Sequence, residues 1–242
     1  MYPVLVFLSK TDLFFRSREF SIIFWNTKKQ PVLCVILRKN IERRDLMSRN
    51  FYISDLHFGH ANVIEFDKRP FSDVEEMDRM MIWYWNQRVT DEDDVYILGD
   101  FQWRSGKGPV WYLKQLKGRK HLIIGNHDAK MLKDEKAMTY FESCERIMYV
   151  KDNGRDVILC HFPMAEWSGY HRNQIHLYGH IHGRLSDTCL IMRNRRNAYN
   201  AGACINFYMP CTLDEIIVNN KKFEKERPLS WKDLPPSELK YE

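Results

Sequence analysis

The chain has 242 residues, 44% hydrophobic and 14% aromatic, which suits one sizeable domain with a proper core and excludes a disordered chain. Its formal net charge of +5 belongs to residues 1–46, which hold nine Lys/Arg against four Asp/Glu; from residue 47 onward the two signs are equal in number. A basic surface for nucleic acid on the main body is therefore not supported, and no apolar run approaches the roughly 18–20 residues that span a bilayer.

The apolar stretch Tyr2–Leu8 has no basic segment before it, and Lys10 and Asp12 close it early, so it does not read as a secretory signal. Cys34, Cys144, Cys160, Cys189, Cys204 and Cys211 show no CxxC spacing. They read as reduced, mostly buried thiols of a cytoplasmic protein, not as a zinc cage. Within 1–46, Ser21–Trp25 and Pro31–Leu37 are β-like runs without a functional constellation. The texture changes at Met47, and we expect the native chain to start there, with 1–46 an upstream extension; the alternative is a basic arm that packs as an extra hairpin. We expect a main domain over 47–227 and a loosely packed tail over 228–242.

From Met47 an apolar strand, a polar turn and a helix alternate. Phe51–Ser54 is the first strand and runs into Asp55-Leu-His57. Residues i and i+2 of a strand share a face, so this carboxylate and imidazole can aim at one point. Ser72-Asp-Val-Glu75 predicts a capped helix with Val74, Met77, Met81, Tyr84 and Trp85 inward. Val95–Leu98 is a strand ending in Gly99-Asp100, and Pro109 starts a helix that Gly118 stops. His121–Ile124 ends in Gly125-Asn-His-Asp128, and a helix is expected over 130–142. Asn153-Gly154 marks a hairpin between Ile147–Lys151 and Arg155–Cys160, the second strand ending at His161. Ile175–Tyr178 ends in Gly179-His-Ile-His182. Strands are expected at Cys189–Met192 and Asn200–Phe207, and Thr212–Glu215 caps a last short helix.

Five strand ends thus carry Asp55/His57, Asp100, Asn126/His127/Asp128, His161 and His180/His182. Each alone has a bland reading as a turn or a satisfied histidine. Together they place nitrogen and oxygen donors, which first-row divalent metals prefer, where α/β sheets put their sites. Six of the nine histidines fall in these blocks if His60 is counted.

These blocks, in order, resemble the motif set of the calcineurin-like metallophosphoesterases. Ser54–His60, Trp85-Asn86 and Asn200-Ala-Gly-Ala203 are similar to the small predicted bacterial and phage phosphoesterases of that superfamily, and the likeness covers residues 50–217. The resemblance implies a four-layer αββα sandwich of mixed sheets with a dinuclear metal site at the strand ends. Asp55, His57 and His182 would hold one metal, Asn126, His161 and His180 the other, and Asp100 would bridge them. Manganese is the first expectation, with iron, zinc or nickel as alternatives. The reaction implied is attack of a metal-bridging hydroxide on a phosphomonoester or phosphodiester, the substrate being a nucleotide or other small phosphoester. His127 would be the general acid or phosphate-binding group and Asp128 would orient its ring. His60 and Arg172 are substrate-binding candidates. Trp167 and Arg104 are weaker ones.

Departures from the protein Ser/Thr phosphatase pattern, at Gly99-Asp-Phe-Gln-Trp-Arg-Ser105 and Ile124-Gly-Asn-His-Asp128, disfavour that branch. A DNA- or RNA-processing nuclease would bring a basic surface that 47–242 lacks. A non-catalytic metal-binding interaction module of the same fold is the remaining alternative; such modules typically lose ligands, and here the full set is present.

Overall fold

Short apolar runs become the strands, and polar residues that close several of them meet, largely buried, at one end of the two larger sheets. The computed structural model describes residues 20–25, 31–36 and 48–233. The chain divides into two compact units, Met1–Asp45 and Leu46–Glu242. In the first, β1 (Phe20–Trp25) and β2 (Pro31–Ile36) pair antiparallel, Phe20 opposite Ile36. The expected start at Met47, and the extension and tail apart from β1, β2 and residues 228–233, lie outside the described residues.

The second unit runs β3 (Asn50–Ile53), α1 (Asn62–Phe66), α2 (Val74–Arg88), β4 (Asp94–Ile97), α3 (Pro109–Leu113), β5 (Arg119–Ile123), α4 (Glu135–Met138) and β6 (Phe141–Glu145). It continues with β7 (Ile147–Asp152), β8 (Arg155–Cys160), β9 (Ile175–Tyr178), α5 (Asp187–Arg193), β10 (Ala198–Asn200) and α6 (Leu213–Glu226). One four-stranded sheet has the order β3-β4-β5-β6, all parallel; the other, β10-β9-β8-β7, is mixed, with β7 antiparallel to β8. Helices flank the two sheets, giving the four-layer α/β arrangement. Parallel strands buried on both faces read as continuous apolar runs, and Phe51–Ile53 and Val95–Ile97 are buried throughout.

Met77, Met81 and Trp85 of α2 pack with Tyr112 and Leu113 of α3 on Phe51, Ile53, Val95, Ile97 and Leu122 of the first sheet. A smaller cluster joins Ile158, Tyr178 and Ala198 of the second sheet to Met192 of α5 and to Trp167. The segment after β10 stitches the sheets together. Ser54 N donates to Ala201 O, Ala203 N to Ser54 O, and Ala201 N to Tyr178 O, at 2.7–2.9 Å. Tyr52 Oη also reaches Asp152 across the sheets at 2.9 Å.

Several local expectations change. The cap of α2 sits one residue later than read: Asp73 accepts from Glu76 N, while Glu76 takes the Ser72 N–H. The helix expected over 130–142 is a 3-10 turn (Asp128–Lys133), the short α4 capped by Asp134, and then β6. The chain becomes extended from Phe141, and the open edge of β5 supplies the partner that decides it. The strand expected at Cys189–Met192 is α5, started by the Ser186 hydroxyl accepting from Cys189 N. A four-residue apolar run does not distinguish a buried strand from a helix by periodicity, and the cap settles it. The strand expected over Asn200–Phe207 ends at Asn200, and tight turns follow. The Asn153-Gly154 hairpin forms as expected, both residues left-handed, as does the Thr212/Glu215 capping box of α6, which at 14 residues is longer than expected. Among the described residues no helix is long and apolar enough to cross a membrane.

Candidate metal centre

Parallel order carries the ends of β3, β4 and β5 to one edge of the first sheet, and the ends of β8 and β9 meet them from the second. The turns that leave these strands are sharp. Asp55, His57, Asp100, His180 and His182 all have φ between 50° and 69°, a left-handed conformation that non-glycine residues adopt rarely and at a cost of about 1–3 kcal/mol where nothing local favours it. Such strain concentrated on side chains that converge marks a functional site. Gly99 explains why the turn is possible. Its φ is +80°, and a Cβ there would lie 2.6 Å from both Gly125 Cα and His161 Nδ1.

Two groups of donors converge in the interior. Asp55, His57 and His182 form one, Asp55, Asp100 and His161 the other, each with ligand atoms within 4.8 Å of one another and every residue buried. Asp55 is common to both, and Asp100 Oδ2 lies 3.6 Å from the Nε2 of both His57 and His161. Two carboxylates therefore sit between the histidines. Asn126 is beside the second group, its Oδ1 3.0 Å from His161 Nε2 and 2.9 Å from His180 Nδ1.

The protons on these rings can be placed. His161 Nδ1 faces the Leu98 carbonyl at 2.7 Å, an acceptor only, so Nδ1 carries a proton and Nε2 is the nitrogen turned toward Asp100. His182 Nδ1 lies 2.6 Å from the Asp67 carboxylate and is likewise the protonated nitrogen. Its Nε2 then points at Asp55 Oδ1 (3.5 Å) and His57 Nε2 (3.2 Å). Burial first, then the charges of His182 and Arg69, hold the His57 imidazole far below its usual range, so it stays neutral. Burial, with the Asp55 charge added, pushes the Asp100 carboxyl up to about 6 against the pull of His161. For His182 burial works downward, but Asp67 and Asp55 outweigh it and the imidazole is raised. Imidazole nitrogens and carboxylate oxygens thus face one another at 3.2–3.6 Å. That is the donor chemistry of a divalent cation site, and the residues fit one.

The remaining expected residues lie as follows. His127 is half-buried, its ring 4.2 Å from Trp103, its Nε2 3.9 Å from Asp100 Oδ2 and its N–H bonded to Asp100 Oδ1 at 2.9 Å. Asp128 does not hydrogen-bond the His127 ring. Its buried carboxylate accepts instead from the N–H groups of Gly125, Asp100 and Phe101 at 2.7–3.0 Å, tying two ligand turns together. His60 is 5.5 Å from His57 ring to ring, with Nδ1 buried and unpartnered. Burial, then Arg69 and His127, lower its imidazole. Arg172 is exposed on a 3-10 turn and makes none of the hydrogen bonds or ion pairs of the cluster. Trp167 is buried, donating to Gln174 O, and Arg104 is exposed over Trp103.

Four neighbours carry no signal in the sequence. Asp67 and Arg69 sit in an ordinary charged turn after α1. Phe66 (63% exposed) packs edge-on to His60, and Phe162 (44% exposed) lies against His161 and His180. Nothing in their spacing ties them to the ligand blocks; only the fold does.

No family model matches the chain. The uncharacterized protein MJ1445 of Methanocaldococcus jannaschii is 32% identical over 173 residues, 71% of this chain and 90% of its own. The gene 66 protein of mycobacterium phage L5 is 31% identical over 56% of this chain and 78% of its own. Among solved structures, the protein of unknown function AQ665 from Aquifex aeolicus superposes with a TM-score of 0.57 at 25% identity, covering 71% of this chain and 99% of its own. Yfce, a phosphoesterase from E. coli, overlays 63% of the chain and 77% of its own at 18% identity with a TM-score of 0.31, and that overlay carries no weight by itself. On identity and coverage together, the chain belongs to the family of MJ1445 and the phage gene 66 proteins.

Proposed function

We propose that the protein is a metal-dependent phosphoesterase acting on a small phosphomonoester or phosphodiester. The observation that carries the reading is the convergence of buried imidazole nitrogens and carboxylate oxygens on Asp55 and Asp100. Asp55, His57 and His182 would hold one divalent cation, Asn126, His161 and His180 the second, with Asp100 between them, and manganese is the first metal to try. When bound, such cations would supply a more acidic water and positive charge for the phosphoryl oxygens. The chain's own residues supply the rest. Buried Asp128 fixes the Asp100 and Gly125 turns through three backbone N–H groups. Half-buried His127, tilted against Trp103, would give a proton to the leaving oxygen. His60 has a free buried nitrogen next to His57 and is a candidate phosphate contact.

The rim favours an aromatic leaving group. Phe66 and Phe162, two of the most exposed aromatic rings described, border the cluster through His60 and through His161/His180. Exposed rings beside a phosphate site suit the stacking of a nucleobase, which supports a nucleotide substrate.

The test is turnover of para-nitrophenyl phosphate and bis-para-nitrophenyl phosphate by the full chain with Mn²⁺, alongside Asp100→Ala and His127→Ala. Metal-dependent turnover of one ester, lost in both variants, is expected. No turnover of either ester and no bound metal by elemental analysis would sink the reading.

A further inference from the structure

The turn Asp67-Lys68-Arg69 joins the Asp55-Leu56 turn to His182 without belonging to either sheet. The Arg69 side chain is wholly buried. Its Nη1 donates to Leu56 O at 2.8 Å and its Nη2 to Asp55 O at 2.9 Å, so one guanidinium grips the backbone of the left-handed turn that presents Asp55 and His57. The same guanidinium binds Asp67 Oδ2 through Nε (3.3 Å) and Nη2 (3.2 Å), and that oxygen accepts from His182 Nδ1 at 2.6 Å. A chain of contacts thus runs from the end of β3 through Arg69 and Asp67 to His182 in the turn after β9. Lysine could not replace Arg69, because only a planar fork serves two carbonyls and a carboxylate at once. Nor is the pair well explained as a stabiliser, since a buried ion pair is often no better than apolar packing of the same volume.

We propose that Asp67, held by Arg69, is the positioning residue of the Asp55/His57/His182 metal position and sets its affinity independently of the second position. The proposal rests on reading the cluster as a two-metal centre. Asp67 holds the proton of His182 on Nδ1 and leaves Nε2 free to bind; a carboxylate behind a ligand histidine also raises its basicity. Asp67→Asn is the informative change. The amide retains an acceptor for Arg69 but can turn its NH2 toward His182, which favours the tautomer with the proton on Nε2, where it blocks binding.

The experiment is Mn²⁺ titration of the metal-free full chain by calorimetry, with stoichiometry by elemental analysis after dialysis. Wild type, Asp67→Asn, Asn126→Ala and the double variant are compared, with melting of the metal-free forms as control. Wild type is expected to bind two ions. Asp67→Asn is expected to lose about 10–100-fold affinity at one position and none at the other. Asn126→Ala is expected to spare the position that Asp67→Asn weakens, and the double variant to be impaired at both. Asp67→Glu, which keeps the charge and misplaces it by one methylene, should be intermediate, and it serves if the Asn variant does not fold. Two ions at wild-type affinity in Asp67→Asn, or equal weakening at both positions, would overturn the proposal while leaving the two-metal reading intact. No binding by wild type would overturn both.

Discussion

Asp100 shows how much one carboxylate is asked to do at this site. It adopts a left-handed backbone, faces three imidazoles at 3.6–3.9 Å and is pushed up to about 6 by burial. His127 lies 3.9 Å away but is half-exposed and leaves the inner donors complete without it. The two should therefore separate cleanly. Asp100→Asn is expected to lose bound Mn²⁺ and activity together, whereas His127→Gln should keep both metals and lose about 10²–10⁴ in kcat. Elemental analysis beside steady-state kinetics reads the difference; metal loss in His127→Gln would refute the assignment. Phe162→Ala tests the rim. It removes an exposed ring, so folding should be unaffected. Stacking worth about 1–3 kcal/mol per base predicts a KM raised roughly 5-fold or more for nucleotide or aryl esters, with little change for a small alkyl phosphate.

At the scale of elements, the structure separates turns that serve the site from caps that serve only stability. Thr212 starts α6: the Glu215 carboxylate accepts from the Thr212 N–H at 2.9 Å and from its hydroxyl at 3.1 Å. Thr212→Ala is expected to cost about 1 kcal/mol in urea unfolding while metal affinity stays at the wild-type level. Gly99→Ala is expected to lose both. The new methyl meets Gly125 and His161 at 2.6 Å in a backbone that favours glycine, so the strand end that carries Asp100 cannot keep its place. If the variant binds two ions normally, the close approach of these turns is not required. Pairing explains the elements that differ from the sequence reading. β6 forms because the β5 edge is open to it, and α5 forms because Ser186 caps a run too short to declare itself.

At the scale of the molecule, the second sheet carries a buried histidine away from the donors. Burial holds His176 down at about 4, against hydrogen bonds from its ring to backbone that raise it, and its Nε2 accepts from Met164 N at 3.1 Å. Above pH 6.5 the ring is neutral both folded and unfolded, and the shift has no effect on stability. Between pH 6.5 and 4 the unfolded chain takes up a proton that the folded chain refuses, so stability falls with pH. A shift of this size corresponds to a loss on the order of 3 kcal/mol by pH 4. His176→Gln keeps an acceptor for Met164 N but does not titrate. Its melting temperature should fall less steeply from pH 6.5 to 4 than that of wild type, and equal slopes would count against the assignment.

The donor blocks were legible in the sequence because each is local: an apolar strand and the polar residues that close it lie within a few residues, with a glycine between them in three of the five. The alternation of strands and helices was legible for the same reason, down to the Asn153-Gly154 hairpin and the box at Thr212. What no spacing disclosed was which side chains meet from far apart. Asp67 and His182 are 115 residues distant and touch because sheet order brings the end of β9 beside the turn after α1. Asp128 looked like a partner of its neighbour His127, yet its oxygens are taken by backbone N–H groups from two turns that only the folded sheets bring within reach. Sequence determined the donors, since their chemistry belongs to the residue; tertiary structure decided their partners, since a hydrogen bond depends on where the two sheets put its ends.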